Sequence, residues 1–254
     1  ARTTRSPKGN MRASVFIVVL VALTACVATA QAARKVKVDV YIEAKCPVCQ
    51  DYTLTTLTDL YNKKGLSDIV DLNIYPYGNA RGTHRISCQH GAGECKSNLY
   101  ETCAINLWPN WVDHFPFIHC MEDNDGAPSA AGKCARMAKL SWKKIRRCSR
   151  SRQGAHWQAQ MARATQAVNN DYTPWVILDG TVLRSRSDTD NLVMEVCQKY
   201  KGKTPPGCKN LELETSEAVL GNTDGPGEVC WRDDVTPYTH FIKTEEEEDE
   251  EDED

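Results

Sequence analysis

Cys46-Pro47-Val48-Cys49 follows directly on Val36-Lys37-Val38-Asp39-Val40-Tyr41-Ile42-Glu43, placing a dithiol where an alternating strand pattern gives way to a helical one. Few features constrain a fold more, because a strand must feed a helix whose first turn holds both sulfurs. A thiol at a helix N-terminus faces unpaired backbone N–H groups and the positive end of the helix dipole, and both favour thiolate over thiol. The thiolate is the nucleophile of disulfide exchange. Tyr52, Leu54, Leu57, Leu60 and Tyr61 recur near a 3.6-residue period, and Gly65 marks the expected stop. Taken alone, the pair fits a redox site, a structural disulfide or half a zinc site.

The chain has 254 residues and 12 cysteines. Met11, Arg12 and the apolar run from Val15 to Leu23 read as a secretory signal peptide, with small residues for cleavage at Ala28-Thr29-Ala30 and Ala30-Gln31-Ala32. The run is too short for a membrane span, and no later stretch reaches the ~18 apolar residues one needs, so the mature chain is expected to have none. The expected organisation is a leader and signal peptide over 1–33, a folded domain over 34–209, and a C-terminal extension over 210–254. That extension ends in ten consecutive acidic residues, Glu245 to Asp254, which read as a disordered solvated tail. Residues 1–33 carry four basic side chains and no acidic ones, so 34–243 hold 27 Lys+Arg against 24 Asp+Glu. A folded part this close to neutral, with no basic stripe, argues against a nucleic-acid partner.

Cys26 leaves with the signal peptide. In an oxidising compartment most other cysteines should form structural disulfides. Cys88, Cys95, Cys103, Cys120, Cys134, Cys148, Cys197 and Cys208 are the candidates, and Cys230, out in the polar C-terminal segment, is the expected free thiol. Their connectivity is open, except that Cys197 and Cys208 flank the short loop Lys201 to Gly207 and are expected to pair.

Ile69 to Tyr75 alternates as a second strand ended by Pro76-Tyr77-Gly78-Asn79, so strand, helix and strand suggest a parallel βαβ unit. Residues from about 84 to 150 hold six cysteines and little strand signal, which predicts a helical, disulfide-stapled insertion. A helix follows from His156 to Val168. Asp179-Gly180 then separates two apolar runs and predicts a hairpin, with Pro174 opening its first strand. Ser187 or Asp188 is the expected cap of a last helix. This order is an α/β one, and it resembles the thioredoxin-like arrangement, a central sheet covered by helices on both faces. In that fold a cis-proline packs beside the dithiol and helps hold an extended substrate, which the resemblance assigns to Thr173-Pro174.

A further segment narrows the resemblance. Cys88-Gln89-His90-Gly91, then Glu94-Cys95, Asn98 and Cys103, is similar to the signature of the gamma-interferon-inducible lysosomal thiol reductases. Trp108-Pro109 and the stretch from His114 to Glu122 also resemble that family, and the likeness spans roughly residues 36 to 208. It implies reduction of disulfides in protein substrates, with Cys46 attacking as the exposed thiol, Cys49 resolving, a small thiol as external electron donor, and no cofactor beyond the dithiol. A metal site built from Cys88, Cys95, Cys103 and His90 is chemically possible. An oxidising compartment and spacings wider than those of structural zinc favour disulfides, so no metal is expected. Glu94 and Asn98 are expected to cap or brace local backbone.

Acidic pH is the difficulty for such chemistry. A thiol of ordinary pKa is about 3% thiolate at neutral pH and ~0.03% near pH 5. Lys45 acts in the direction needed at Cys46, and Asp39 or Glu43, on one face of the first strand, is a candidate proton acceptor near Cys49. No Asn-X-Ser/Thr sequon occurs, so lysosomal sorting through an N-glycan is not expected, and lysosome, vacuole and secretion all stay open. The competing readings are a secretory-pathway oxidase or isomerase, which differs only in reduction potential, and a non-catalytic disulfide-rich binding protein.

Overall fold

The first strand, β1 (Val36–Ile42), is central because it is apolar on both sides: its pattern is buried at every position but Lys37. In the computed structural model, which describes residues 33–209, Leu211 and 228–234, it pairs in parallel with β2 (Val70–Pro76) and antiparallel with β4 (Trp175–Leu178). With β5 (Thr181–Leu183) the sheet order is β2-β1-β4-β5. The expected signal peptide and acidic tail lie outside the described residues.

The Asp179-Gly180 hairpin forms as expected. Both residues have positive φ, 47° and 85°, the combination a two-residue turn between twisted strands requires. Asp179 also ties the turn to β1, since its carboxylate accepts the Lys37 N–H at 3.0 Å and its own N–H donates to the Lys37 carbonyl at 2.8 Å.

The helix after the dithiol is longer than one regular segment. α1 (Pro47–Tyr52) runs through a wide π turn (Thr53–Leu57) into α2 (Thr58–Asn62), with Leu57 and Leu60 buried against the sheet. A short α3 (Leu66–Ile69) leads into β2. The expected helical insertion comprises α4 (Ala92–Leu107), α5 (Trp111–Glu122), α6 (Ala131–Met137) and α7 (Trp142–Ser149). Disulfides tie Cys88 to Cys95 ahead of and inside α4, Cys103 of α4 to Cys148 of α7, and Cys120 of α5 to Cys134 of α6. α8 (Arg152–Val168) returns the chain to the sheet.

After the hairpin come α9 (Arg186–Asp190) and α10 (Leu192–Lys199), and Cys197 of α10 is joined to Cys208. The cap differs from expectation. Helix α9 begins before Ser187 and Asp188, and the Ser185 hydroxyl, one turn earlier, accepts the Asp188 N–H at 3.1 Å. The main core lies between one face of β1 (Val36, Val38, Val40, Ile42) and the helices. The opposite face carries a smaller aromatic cluster of Tyr41, Tyr172 and Trp175, with Tyr41 stacked on its strand partner Tyr75 at 4.5 Å. No helix among the described residues is long and apolar enough to cross a membrane.

Candidate active site

Cys46 is the N-cap of α1. Its backbone is extended (φ −77°, ψ 117°), Pro47 follows as a residue that has no N–H to leave unpaired, and the Cys46 sulfur accepts the Cys49 N–H at 3.4 Å. Cys49 sits one turn on, with no exposed surface. The Thr173-Pro174 peptide is cis, and Thr173 faces Cys49. The residues singled out on either side of the chain, 46–49 and 173–174, therefore meet at one end of the sheet.

Two expectations fail here. Cys46 is not exposed, and Cys230 is not free. A two-residue strand, β6 (Cys230–Trp231), pairs antiparallel with β3 (Tyr172–Thr173), which sets Cys230 opposite Thr173 and carries its sulfur to Cys46. The two are joined in a disulfide, 184 residues apart in sequence, and Cys46 has no exposed surface. Cys49 is the free cysteine among the described residues.

The cysteine-rich signature builds the surroundings of this site. Asn98, on α4, accepts the Ala44 N–H through Oδ1 at 2.9 Å and so braces the loop between β1 and Cys46. Gly91 stands at φ 85°, ψ −169°, a backbone region that is essentially glycine's alone. Glu94 accepts the His90 backbone N–H and the His90 ring Nδ1, both at 2.7 Å. Gln89 donates through Nε2 to the Trp231 carbonyl at 2.8 Å, and Asn79 donates through Nδ2 to the Cys230 carbonyl, also at 2.8 Å. Cys88, Cys95 and Cys103 are all consumed in disulfides, so the metal arrangement weighed from sequence has no free sulfur to use.

Glu43 is the residue whose importance the alternating pattern understated. It is fully buried, with Oε2 accepting the Asn79 N–H at 2.8 Å and Oε1 without a hydrogen-bond partner. A carboxylate oxygen of Glu43 and the sulfurs of Cys46 and Cys230 lie within 4.8 Å of one another. On its other side Oε1 is 3.6 Å from the His90 ring Nδ1. Gly78 leaves room for it: a Cβ there would approach Glu43 Oε2 to 2.6 Å. Burial, then the nearby Glu94, push the Glu43 pKa up to about 8, against the opposing Asn79 N–H. Asp39, the other candidate acceptor, is paired with Lys37 at 2.7 Å. Lys45 passes over Gly93.

Burial, then the Glu43 charge, raise the Cys49 thiol pKa well above its ordinary value, with hydrogen bonds from the Thr173 side chain and the Glu43 backbone opposing. Two further carboxyls lie nearby without hydrogen-bond partners, Glu101 and Glu122. Burial raises the first to about 8 and the second well above 4.5. Among the described residues two trios offer metal-type ligand atoms, Glu43–Cys46–Cys230 and Glu43–His90–Glu94. In the first both sulfurs are spent in a disulfide, and in the second the His90 Nδ1 is already bonded to Glu94.

Residues 37–138 match the family described as gamma interferon inducible lysosomal thiol reductase. A gamma-interferon-responsive lysosomal thiol protein of Arabidopsis thaliana is 35% identical over 176 residues, covering 67% of this chain and 73% of the relative. A gamma-interferon-inducible lysosomal thiol reductase of Carassius auratus is 32% identical over 201 residues, covering 74% and 78%. Among solved structures, oxidised BdbD of Bacillus subtilis aligns with a TM-score of 0.50 at 15% identity, over 63% of this chain and 85% of that one, a likeness of fold. With 35% identity over most of the plant relative, and the family's signature assembled around the buried Cys46 and Cys49, the chain belongs to the gamma interferon inducible lysosomal thiol reductase family and is an oxidoreductase acting on disulfides.

Proposed function

We propose that the chain reduces disulfides in protein substrates by dithiol–disulfide exchange, with Cys46 as nucleophile, Cys49 as resolving thiol and a small thiol as electron donor, in the lysosome or elsewhere along the secretory route. The observation that carries this reading is the position of Cys46: N-cap of α1, its sulfur accepting a backbone N–H, beside Thr173-Pro174. Backbone N–H groups at a helix start stabilise the thiolate that attacks and the thiolate that later leaves. Cys49, one turn on and shielded from water, then attacks the mixed disulfide on Cys46 and releases the reduced substrate.

Acid favours this arrangement in one respect. Below about 8 the Glu43 carboxyl holds its proton, so the negative charge that opposes ionisation of Cys49 is absent. The neutral carboxyl is also the proton-bearing group placed beside the sulfurs. We propose that Glu43 passes protons between the thiols and His90, whose ring is partly exposed.

The test uses full-length protein reduced with a small thiol, freed of excess reductant, and mixed with a disulfide-bonded protein near pH 4.5 and near pH 7. Cys46→Ser should leave the substrate disulfide unreduced. Cys49→Ser combined with Cys230→Ser, so that neither neighbouring thiol can resolve the adduct, should accumulate a mixed disulfide with the substrate. Full activity in Cys46→Ser would sink the mechanism.

A further inference from the structure

The segment that covers Cys46 is built like something the site was made to hold. Cys230 lies opposite Thr173, the residue before Pro174, in an antiparallel strand pair. Its carbonyl accepts from Asn79 at 2.8 Å, and the next carbonyl, of Trp231, accepts from Gln89 at 2.8 Å. The Arg232 N–H donates to the Asp171 carbonyl at 3.0 Å. These contacts read main chain, so they would serve any extended peptide. Side chains alternate as a strand requires: Cys230 turns to Cys46, while Val229 and Trp231 turn to the aromatic cluster. The Trp231 ring meets Tyr172 edge to face at 5.4 Å.

We propose that residues 228–234 are a tethered pseudo-substrate: they fill the groove that receives a substrate's cysteine-bearing strand, and they show that the groove prefers a cysteine flanked by apolar residues, aromatic on its C-terminal side. The proposal rests on the reductase reading above and deepens it. In this state Cys46 is joined as it would be to a substrate cysteine, with Cys49 free and one turn away.

The tether also makes the oxidised chain latent, since Cys46 has no thiol to offer. Release balances without an outside oxidant. The Cys49 thiolate attacks the Cys46 sulfur, the Cys46–Cys49 bond forms as the Cys46–Cys230 bond breaks, and Cys230 leaves as a thiolate that takes up the proton Cys49 gave up. One disulfide and one thiol stand on each side. Two equivalents of a small thiol then convert Cys46–Cys49 to the dithiol and leave as their own disulfide.

Two experiments test this, and neither needs turnover. Full-length oxidised protein, with thiols blocked in acid, is digested without reduction and its linked peptides are identified by mass spectrometry. A Cys46–Cys230 linkage with Cys49 blocked is expected; Cys46–Cys49 with Cys230 blocked overturns the tether. For the groove, the full chain carrying Cys49→Ser and Cys230→Ser is offered two activated disulfide peptides in competition. One has the sequence Glu-Val-Cys-Trp-Arg-Asp-Asp, and the other has serine in place of valine and tryptophan. Trapping on Cys46 should favour the first by at least about tenfold, from the buried apolar surface and the aromatic pair. Equal trapping overturns the assigned preference. Should that variant fold poorly, Trp231→Ala in the otherwise intact chain is the second arm, read as the fraction of Cys46–Cys230 linkage in a small-thiol redox buffer. That fraction should fall, and an unchanged fraction overturns the preference. A chain that traps selectively yet never reduces a protein disulfide would refute the reductase reading while leaving the tether standing.

Discussion

Glu43→Gln should stabilise the folded chain at alkaline pH and leave it nearly unchanged in acid. The carboxyl has no exposure, one oxygen without a partner, and Glu94 and Asp233 as acidic neighbours, with His90 at 3.6 Å. These surroundings hold its pKa near 8, against 4.5 ordinarily. The folded chain therefore keeps a proton that the unfolded chain gives up as pH rises from about 4.5, and the folded state is the one penalised across that window. At about 1.4 kcal/mol per pH unit, the penalty grows from nothing near pH 4.5 to about 5 kcal/mol at pH 8, an upper bound. Glutamine keeps an oxygen for the Asn79 N–H and removes the titration. Urea unfolding of the oxidised chain, with and without the substitution, both in a Cys49→Ser background that prevents thiol exchange, gives the difference directly. Glu101 titrates in both chains, while Glu122, which the Glu43 charge helps to raise, is relieved in the variant and moves the difference in the same direction. The two chains should agree within about 1 kcal/mol near pH 4.5 and diverge by several kcal/mol near pH 8, the variant being the more stable. Parallel pH profiles, or a variant weaker at pH 8, would refute the assignment of a buried, protonated carboxyl.

Glu101→Gln should raise stability above pH 8 for the same reason, burial having moved its carboxyl up to about 8, and thermal melts at pH 5 and pH 9 read the sign. Gly78→Ala places a Cβ 2.6 Å from Glu43 Oε2 at a residue with φ 54°, so a loss of about 1–3 kcal/mol by urea unfolding is expected. Replacing Cys103 and Cys148 by serine opens a link across 45 residues and should cost about 4 kcal/mol, measured in the same way. Asn98→Ala leaves the Ala44 N–H without its acceptor and should cost about 1–3 kcal/mol.

What the sequence disclosed and what it hid divide along chain distance. The Asp179-Gly180 turn, the helix start at Pro47 and the Cys197–Cys208 link are local, decided by residues a few positions apart. The βαβ unit followed from short links between strongly patterned segments. Cys46–Cys230 spans 184 residues, and nothing in the alternation of Val229, Cys230 and Trp231 announces that this two-residue strand will pair with β3. Glu43 was ambiguous because a carboxylate at the end of a strand is ordinarily solvated. Only the fold brings Tyr77, Gly78 and Asn79 over it, and only glycine at 78 lets that loop approach. The signature from Cys88 to Cys103 was legible as a pattern while the jobs of its members were not. Gln89 reaches residue 231, and Asn98 reaches residue 44.

Those long reaches explain why the signature and the dithiol travel together in one chain. A thiolate at a helix start is only as well placed as the loop before it, and Asn98 holds that loop from α4. Helix α4 is in turn fixed at its start by Cys88–Cys95 and along its length by Cys103–Cys148. The same helix presents Glu94, whose bonds to His90 set the imidazole beside Glu43. The insertion thus supplies the brace for Cys46, the acid–imidazole neighbours of the sulfurs and, through Gln89, a contact for whatever strand lies against Thr173. A sheet and first helix without it would keep Cys46 at a helix start but lose the Gln89 contact with the Trp231 backbone and the groups that flank the Glu43 carboxyl.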